Sequence, residues 1–411
     1  MAGDVFVDFL QDVEILAKRS EVLSLADKST EWLIEEEERI HRQLSTVRTF
    51  INAGPRVLIG SLSEDLLLKI FMTVVAVVCV HTDDDDELDM DAISPHAGRL
   101  VVVDVRFRFE LMEKFSGCLE NETWTRLETL TLTLPLRLPI AFSFSDHHLP
   151  NFRDFRLDGV VPRSWSSAIF RDLHTLHLEN DFHDDSMLPS FEAFLDVLDS
   201  CLLLQNLLVR RSPCRHLLSE EVTKYPEPKR VVQLHHLLSL QLDFSQEIDI
   251  AYLLAHLVIP QKTRVSINRL RQTTNNGALA CLPRSKANFE LLKAITSVRV
   301  TSDETDIIDG TTATTVYGWF AHDDPKQCLK LDAQHAQHAQ AAKEVFRRTE
   351  VRATLFEMGI AFPQLQYLKV ICLDGARLLP IAEEEWVRIL KSLPLLVRLE
   401  LRMKSAPPPP T

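Results

Sequence analysis

Glycine is the first thing this sequence lacks, with 11 residues in 411. So few leave little room for glycine-rich loops that cradle phosphates, or for a long series of glycine-turned hairpins. Positive charge is also short: Lys and Arg number 45 against 59 Asp and Glu, a formal net charge of −14. An acidic surface repels a phosphate backbone, and the basic clusters Arg210-Arg211 and Lys229-Arg230 are single pairs without an aromatic platform. Nucleic acid is therefore not an expected partner. The seven cysteines (Cys79, Cys118, Cys201, Cys214, Cys281, Cys328 and Cys372) are odd in number and never stand at CxxC spacing. That pattern fits a reducing compartment, cytoplasmic or nuclear.

Long apolar runs and chemical motifs are missing as well. The longest run, IFMTVVAVVCV from Ile70 to Val80, has 11 residues, against roughly 20 for a helix that crosses a bilayer. It reads as a buried strand or the end of a core helix, and no membrane partner is expected. The N-terminus, MAGDVFVDFLQDVEIL, carries acids where a signal peptide carries Lys or Arg. Neither a GxSxG elbow, nor a GxxxxGK[ST] loop, nor HExxH occurs. His335 and His338 lie three apart but lack a third ligand at fixed spacing, so they read as a solvated helix face. His183-Asp184-Asp185 and His322-Asp323-Asp324 are isolated His-Asp groups that read as polar loops. No catalytic, metal or cofactor residue is assigned, and the expectation is a protein that is not an enzyme.

What is present is organised in blocks. A chain this long exceeds one ordinary core, so it is either several domains or one elongated repeat domain. Residues 1–53 carry two amphipathic helical patterns, the second running from Thr30 to Asn52 with Glu35–Arg39 and Glu38–Arg42 pairs four apart. Gly54-Pro55 ends that helix. A short amphipathic segment follows within 54–80, LIGSLSEDLLLKIF from Leu58 to Phe71, with Leu62, Leu66, Leu67, Ile70 and Phe71 on one face. Residues 81–98 contain DDDDELDMD, seven acids in nine positions, which repels itself and reads as a linker.

From residue 99 to 403 the pattern changes to recurring LxxLxL strands. Clear copies are Leu127/Leu130/Leu132, Phe152/Phe155/Leu157, Leu173/Leu176/Leu178, Leu204/Leu207/Val209 and Leu237/Leu240/Leu242. Weaker ones follow at Val265/Ile267 and Ile295/Val298/Val300, and the series closes with Leu365/Leu368/Val370 and Leu396/Leu399/Leu401. Central residues of the clear copies are 25, 21, 31 and 33 positions apart. Leucine-rich repeats run at about 20–29 residues. Helical returns are expected around Phe194, Leu253, Leu292 and Ile389. An insertion is read at about 301–345, with a helix over 333–358, and residues 404–411 form a Pro-rich tail. The expected fold class is α/β: a leucine-rich-repeat solenoid preceded by an N-terminal helical unit, with a doubly wound α/β fold as the alternative.

The segment Leu62-Ser63-Glu64-Asp65-Leu66-Leu67-Leu68-Lys69-Ile70-Phe71 resembles the first half of an F-box, as found in fungal F-box proteins. Ser63 stands where that family usually has proline, and the tryptophan of the second half has no counterpart, since no Trp lies between Trp32 and Trp124. The resemblance implies an F-box-like helix that docks a Skp-family adaptor of a cullin-RING ubiquitin ligase through Leu62, Leu66, Leu67, Ile70 and Phe71. Repeats behind it would then hold an unknown protein substrate. Without that docking, the same chain is a leucine-rich-repeat interaction scaffold.

Overall fold

A segment such as Thr-Leu-Thr-Leu-Thr turns its leucines to one side and its threonines to the other when extended, so a strand of this kind is stable only if the leucine side is covered. The computed structural model describes residues 77–81 and, from 97 to 403, all but 99, 107–108, 135–139, 143–148, 166–167, 180–187, 212–213, 215–227, 245–246, 272–277, 284, 286, 305–311, 322–325, 336–339 and 373–380. The chain divides into two units, Met1–Phe71 and Met72–Thr411. The first lies outside the described residues, and so do the acidic run and the Pro-rich tail.

Strands of the second unit are β1 (Val77–His81), β2 (Val102–Arg106), β3 (Thr129–Thr133), β4 (Ile140–Phe142), β5 (Asp154–Asp158), β6 (Val160–Pro162), β7 (Thr175–Glu179), β8 (Asn206–Arg210) and β9 (Val232–Gln233). They continue with β10 (Ser239–Asp243), β11 (Leu257–Val258), β12 (Arg264–Arg271), β13 (Ser297–Glu304), β14 (Thr312–Trp319), β15 (Leu329–His335), β16 (Tyr367–Cys372) and β17 (Arg398–Met403). Between them run helices α1 (Phe109–Asn121), α2 (Phe191–Ser200), α3 (Glu247–Ala255), α4 (Glu290–Ala294), α5 (Gln340–Ala361) and α6 (Glu383–Lys391). The protein is thus mixed α/β.

Thirteen strands form one sheet in the order β1-β2-β3-β5-β7-β8-β10-β12-β15-β14-β13-β16-β17, and β1 and β17 end it without closing a barrel. Every pairing is parallel except the two made by β14. Two small parallel pairs, β4 with β6 and β9 with β11, lie within the crossovers.

Register shows how regular the sheet is. The central apolar residues of successive copies stand opposite one another: Val103, Leu130, Phe155, Leu176, Leu207, Leu240, Val265 and Leu329, then, across β14 and β13, Leu368 and Leu399. A second row runs parallel to it through Leu132, Leu157, Leu178, Val209, Leu242 and Ile267. These rows are buried, Leu399 only in part, and share one core with the apolar faces of the helices, including Phe194, Leu195 and Leu198 of α2 and Leu355 and Met358 of α5.

The entry to each copy repeats too. The amides of Leu127, Phe152, Leu204, Leu237, Leu365 and Leu396 each donate to the carbonyl three residues earlier, at 3.1–3.3 Å. One carbonyl of the preceding copy then accepts two successive amides. Glu128 O takes Arg153 N and Asp154 N, Arg153 O takes His174 N and Thr175 N, and His174 O takes Gln205 N and Asn206 N. The buried backbone between copies is satisfied in this way without glycine.

The segment read as an insertion contributes β14 and β15 to the main sheet. Its helix begins at Gln340, later than the sequence reading, because residues up to His335 are held in register against β14. Helical returns are present at α2, α3, α4 and α6, while Leu257 falls beyond the end of α3, in β11.

Candidate functional site

Because the apolar rows fill one side of the sheet, the alternate residues line an opposite, polar face, and this face carries the molecule's concentrated side-chain chemistry. Its two ends differ. Among the described side chains from β2 to β10, the outward positions hold Asp104, Asp154, Asp158, Glu179 and Asp243 against Arg106, Arg156 and Arg210. From β13 to β17 they hold Arg299, Lys330, Lys369, Arg398 and Arg402 against Asp332 and Glu400.

In the first stretch Asp158, Glu179 and Arg210 are register neighbours on β5, β7 and β8, and Arg156 is paired with His177 one step earlier. Arg210 Nη1 donates to Glu179 Oε2 at 2.8 Å, and His177 Nε2 lies 3.6 Å from the same oxygen. Burial, and then the Arg156 charge, push the His177 imidazole down to about 4, with Glu179 acting the other way. It is neutral at pH 7. Burial and the Glu179 charge raise Asp158, against the pull of Arg210, Arg211 and Arg106. A tight turn closes this edge: Gly159 has φ +70°, and a Cβ there would stand 2.6 Å from Leu134 O. Opposite charges in this cluster are spent on one another, which is a structural use of polar groups.

In the second stretch large aromatics stand among the cations. Tyr317 and Trp319, both on β14, have ring centroids 6.1 Å apart, and the Arg299 guanidinium sits 5.2 Å over the Trp319 ring. Arg398 sits 5.4 Å over Tyr367. Contacts of this kind stabilise a cation over the face of an aromatic ring. Glu400 accepts from the Tyr367 hydroxyl at 2.5 Å and pairs with Lys369 at 3.2 Å and with Arg402. The Tyr367 hydroxyl, and then Arg402, hold the Glu400 carboxyl down to about 2. Lys330 and Asp332 approach to 4.0 Å. Among the described residues, Arg299 and Arg398 have no carboxylate partner.

The docking residues expected from the sequence, Leu62, Leu66, Leu67, Ile70 and Phe71, lie outside the described residues. So do His338 and the two His-Asp groups at 183–185 and 322–324. No group of three or more His, Cys, Asp or Glu side chains is placed to hold a metal among the described residues. Cys118, Cys201, Cys214, Cys281 and Cys328 are buried and stand in no disulfide. Burial pushes Cys201 up to about 12, and its Sγ donates to Phe170 O, so it packs and does not act as a nucleophile. No described helix is long and apolar enough to cross a membrane. An open recess of about 450 Å³ lies at the entry edge of β8, β10 and β12, between His235, His236 and Pro260.

Sequence reasoning missed the aromatic-cationic patch. Its members come from four strands joined only by register, and the one local signal was Tyr317-Gly318-Trp319 inside a segment that lacks leucines. Comparison with family models, curated proteins and solved structures gives no match for this chain.

Proposed function

We propose that this protein is a substrate-recognition adaptor of a cullin-RING ubiquitin ligase. In this reading the sheet and its returns are a leucine-rich-repeat solenoid, and the F-box-like helix Leu62–Phe71 docks a Skp-family adaptor. The polar face holds a protein substrate. The observation that carries the reading is repetition: one strand-entry geometry and two in-register apolar rows recur along the sheet and set the polar residues on its opposite face. Such an array offers an extended binding surface and little else. Its mechanism is positional: a substrate held on the repeats is kept at high effective concentration near the transfer site. The compartment is cytoplasmic or nuclear, and the protein itself needs no catalytic residue.

A second reading keeps the repeat scaffold and drops the ligase. The absent tryptophan-bearing half of the motif favours it, because the family docks through both halves. Pull-down of a purified Skp-family adaptor by the full chain separates the two. Binding that is lost in Leu66→Glu with Leu67→Glu supports the adaptor reading. An intact, folded chain that captures no adaptor leaves the scaffold.

A further inference from the structure

We propose that the β13–β17 stretch of the polar face docks an extended acidic peptide segment of a partner protein, with an apolar or aromatic side chain of that peptide on Trp319 and Tyr317. The proposal rests on the reading of this face as a protein-binding surface, and it names the chemistry of what is bound.

Charge complementarity is the first argument. The chain as a whole is acidic, at −14, yet the described outward side chains of this stretch are five cations against two acids. Both acids are already engaged, Glu400 by Tyr367, Lys369 and Arg402, and Asp332 by Lys330. Arg299 and Arg398 are exposed, have no carboxylate partner among the described residues, and are steadied by the rings beneath them. A site that holds its guanidinium groups in place over aromatic rings, with no carboxylate on them among the described residues, is arranged for an oxygen anion.

Spacing gives the second. Arg299 lies opposite Lys369 on β16, and Arg398 on β17 lies opposite Tyr367, two residues before Lys369. Two strand spacings and two residue rises put the Arg299 and Arg398 backbones about 12 Å apart. That matches carboxylates three or four residues apart on an extended peptide crossing the strands. Trp319 and Tyr317 lie alongside, and Trp, Tyr and Arg are the residues that dominate protein interfaces. A nucleic acid fits less well, because Glu400 and Asp332 stand within the path that a continuous phosphate backbone would follow.

The test uses the full chain and a fluorescein-labelled nonapeptide of Asp and Glu around one Trp, read by fluorescence anisotropy. The wild type is expected to bind it, more weakly as salt rises. Arg299→Glu with Arg398→Glu should weaken binding about tenfold or more, and Trp319→Ala about fivefold, whereas Arg106→Glu with Arg156→Glu changes it less than about twofold. Circular dichroism confirms that each variant folds, and the salt dependence of the wild type remains a measure if one does not. No binding by the wild type, or equal loss from both arginine pairs, overturns the proposal. Tighter binding of oligothymidine, weakened by the same variants, gives the face to nucleic acid and overturns it too. If Asp83→Asn, Asp84→Asn, Asp85→Asn and Asp86→Asn together strengthen probe binding about tenfold, the occupant is the chain's own acidic run and not a partner. None of these measurements involves the adaptor, so their failure and the failure of the ligase reading are separately visible.

Discussion

The two stretches of the polar face stand on the same inward rows and present opposite chemistry. From β2 to β10 the strands follow one another in chain order, all parallel, and the outward charges are largely consumed among themselves, as in the Arg210–Glu179 pair. From β13 to β17 the order is broken by the antiparallel β14, which brings Tyr317 and Trp319 to the surface beside Arg299. The inward positions answer to packing and tolerate little change. Outward positions are less tightly packed, so chemistry can diverge there at smaller cost to the fold.

The largest effect that sharpens this contrast concerns aromatic residues on the two sides of the sheet. Phe155 is fully buried, with the rings of Phe142, Phe152 and Phe170 at 6.3, 5.4 and 5.8 Å. Phe155→Ala is expected to cost about 3–5 kcal/mol by urea denaturation. Trp319→Ala removes a partly exposed ring and one cation-π contact, and about 1 kcal/mol is expected. Equal losses would mean that the β14 aromatics are core, and the distinction between the two stretches would fail.

The next comparison lies along the second inward row. Leu132, on a strand paired on both sides, is 0% exposed, whereas Leu401 in the last strand is 44% exposed. Both occupy the last position of an LxxLxL copy. Leu132→Ala is expected to lose about 2–4 kcal/mol and Leu401→Ala less than about 1, measured as unfolding free energies. The reason is that β17 pairs with β16 alone and nothing stacks beyond it among the described residues.

These positions also mark what could be read from sequence. The copies from Leu127 to Leu242 were legible because a period of two, with a leucine at each inward position, is the pattern a half-buried strand needs. The copy at Leu100, Val103 and Val105 follows the same rule and was overlooked, since two of its three residues are valines. Strand β14 was not legible: its inward positions are Thr314, Val316 and Gly318, which leave almost no apolar signal. The polar-face clusters were hidden for another reason. Asp158, Glu179 and Arg210 are each more than 20 positions apart in sequence, and only the register of parallel strands makes them neighbours.

Two glycines test the same contrast at the level of backbone. Gly159 has φ +70° and Leu134 O in the place of a Cβ, at 2.6 Å, so Gly159→Ala is strained by conformation and by contact with rigid backbone. About 2 kcal/mol is expected. At Gly318 the Cβ would meet Ile295 Cδ1 at 2.9 Å and Leu329 Cβ at 3.2 Å, and the nearest of these is the end of a flexible side chain. Gly318→Ala should therefore cost about 1 kcal/mol, the smaller loss falling in the β13–β17 stretch. Thermal unfolding of the two variants side by side reads the difference.

The last contrast belongs to His177, and its sign follows from linkage. Its folded-state value lies near 4, below the ordinary 6.5. Between those values the unfolded chain binds the extra proton and the folded one does not, so stability rises with pH across that window. The contribution is complete above about 6.5 and is lost as pH falls toward 4. Asp158 is shifted upward, so its own contribution is present at low pH and is lost as pH rises through its folded value, which opposes the His177 slope at the acid end of the window. That opposition makes the net rise smaller than His177 alone would give. His177→Gln should flatten the rise in unfolding free energy between pH 4 and 6.5, the bounds set by its two values. Arg299→Gln, in the other stretch, should leave the slope as it is, because no carboxylate or imidazole is paired with it among the described residues. A slope unchanged by His177→Gln would show that the imidazole is not held neutral by burial, and that this cluster, like the patch on β13–β17, keeps charge available for a ligand.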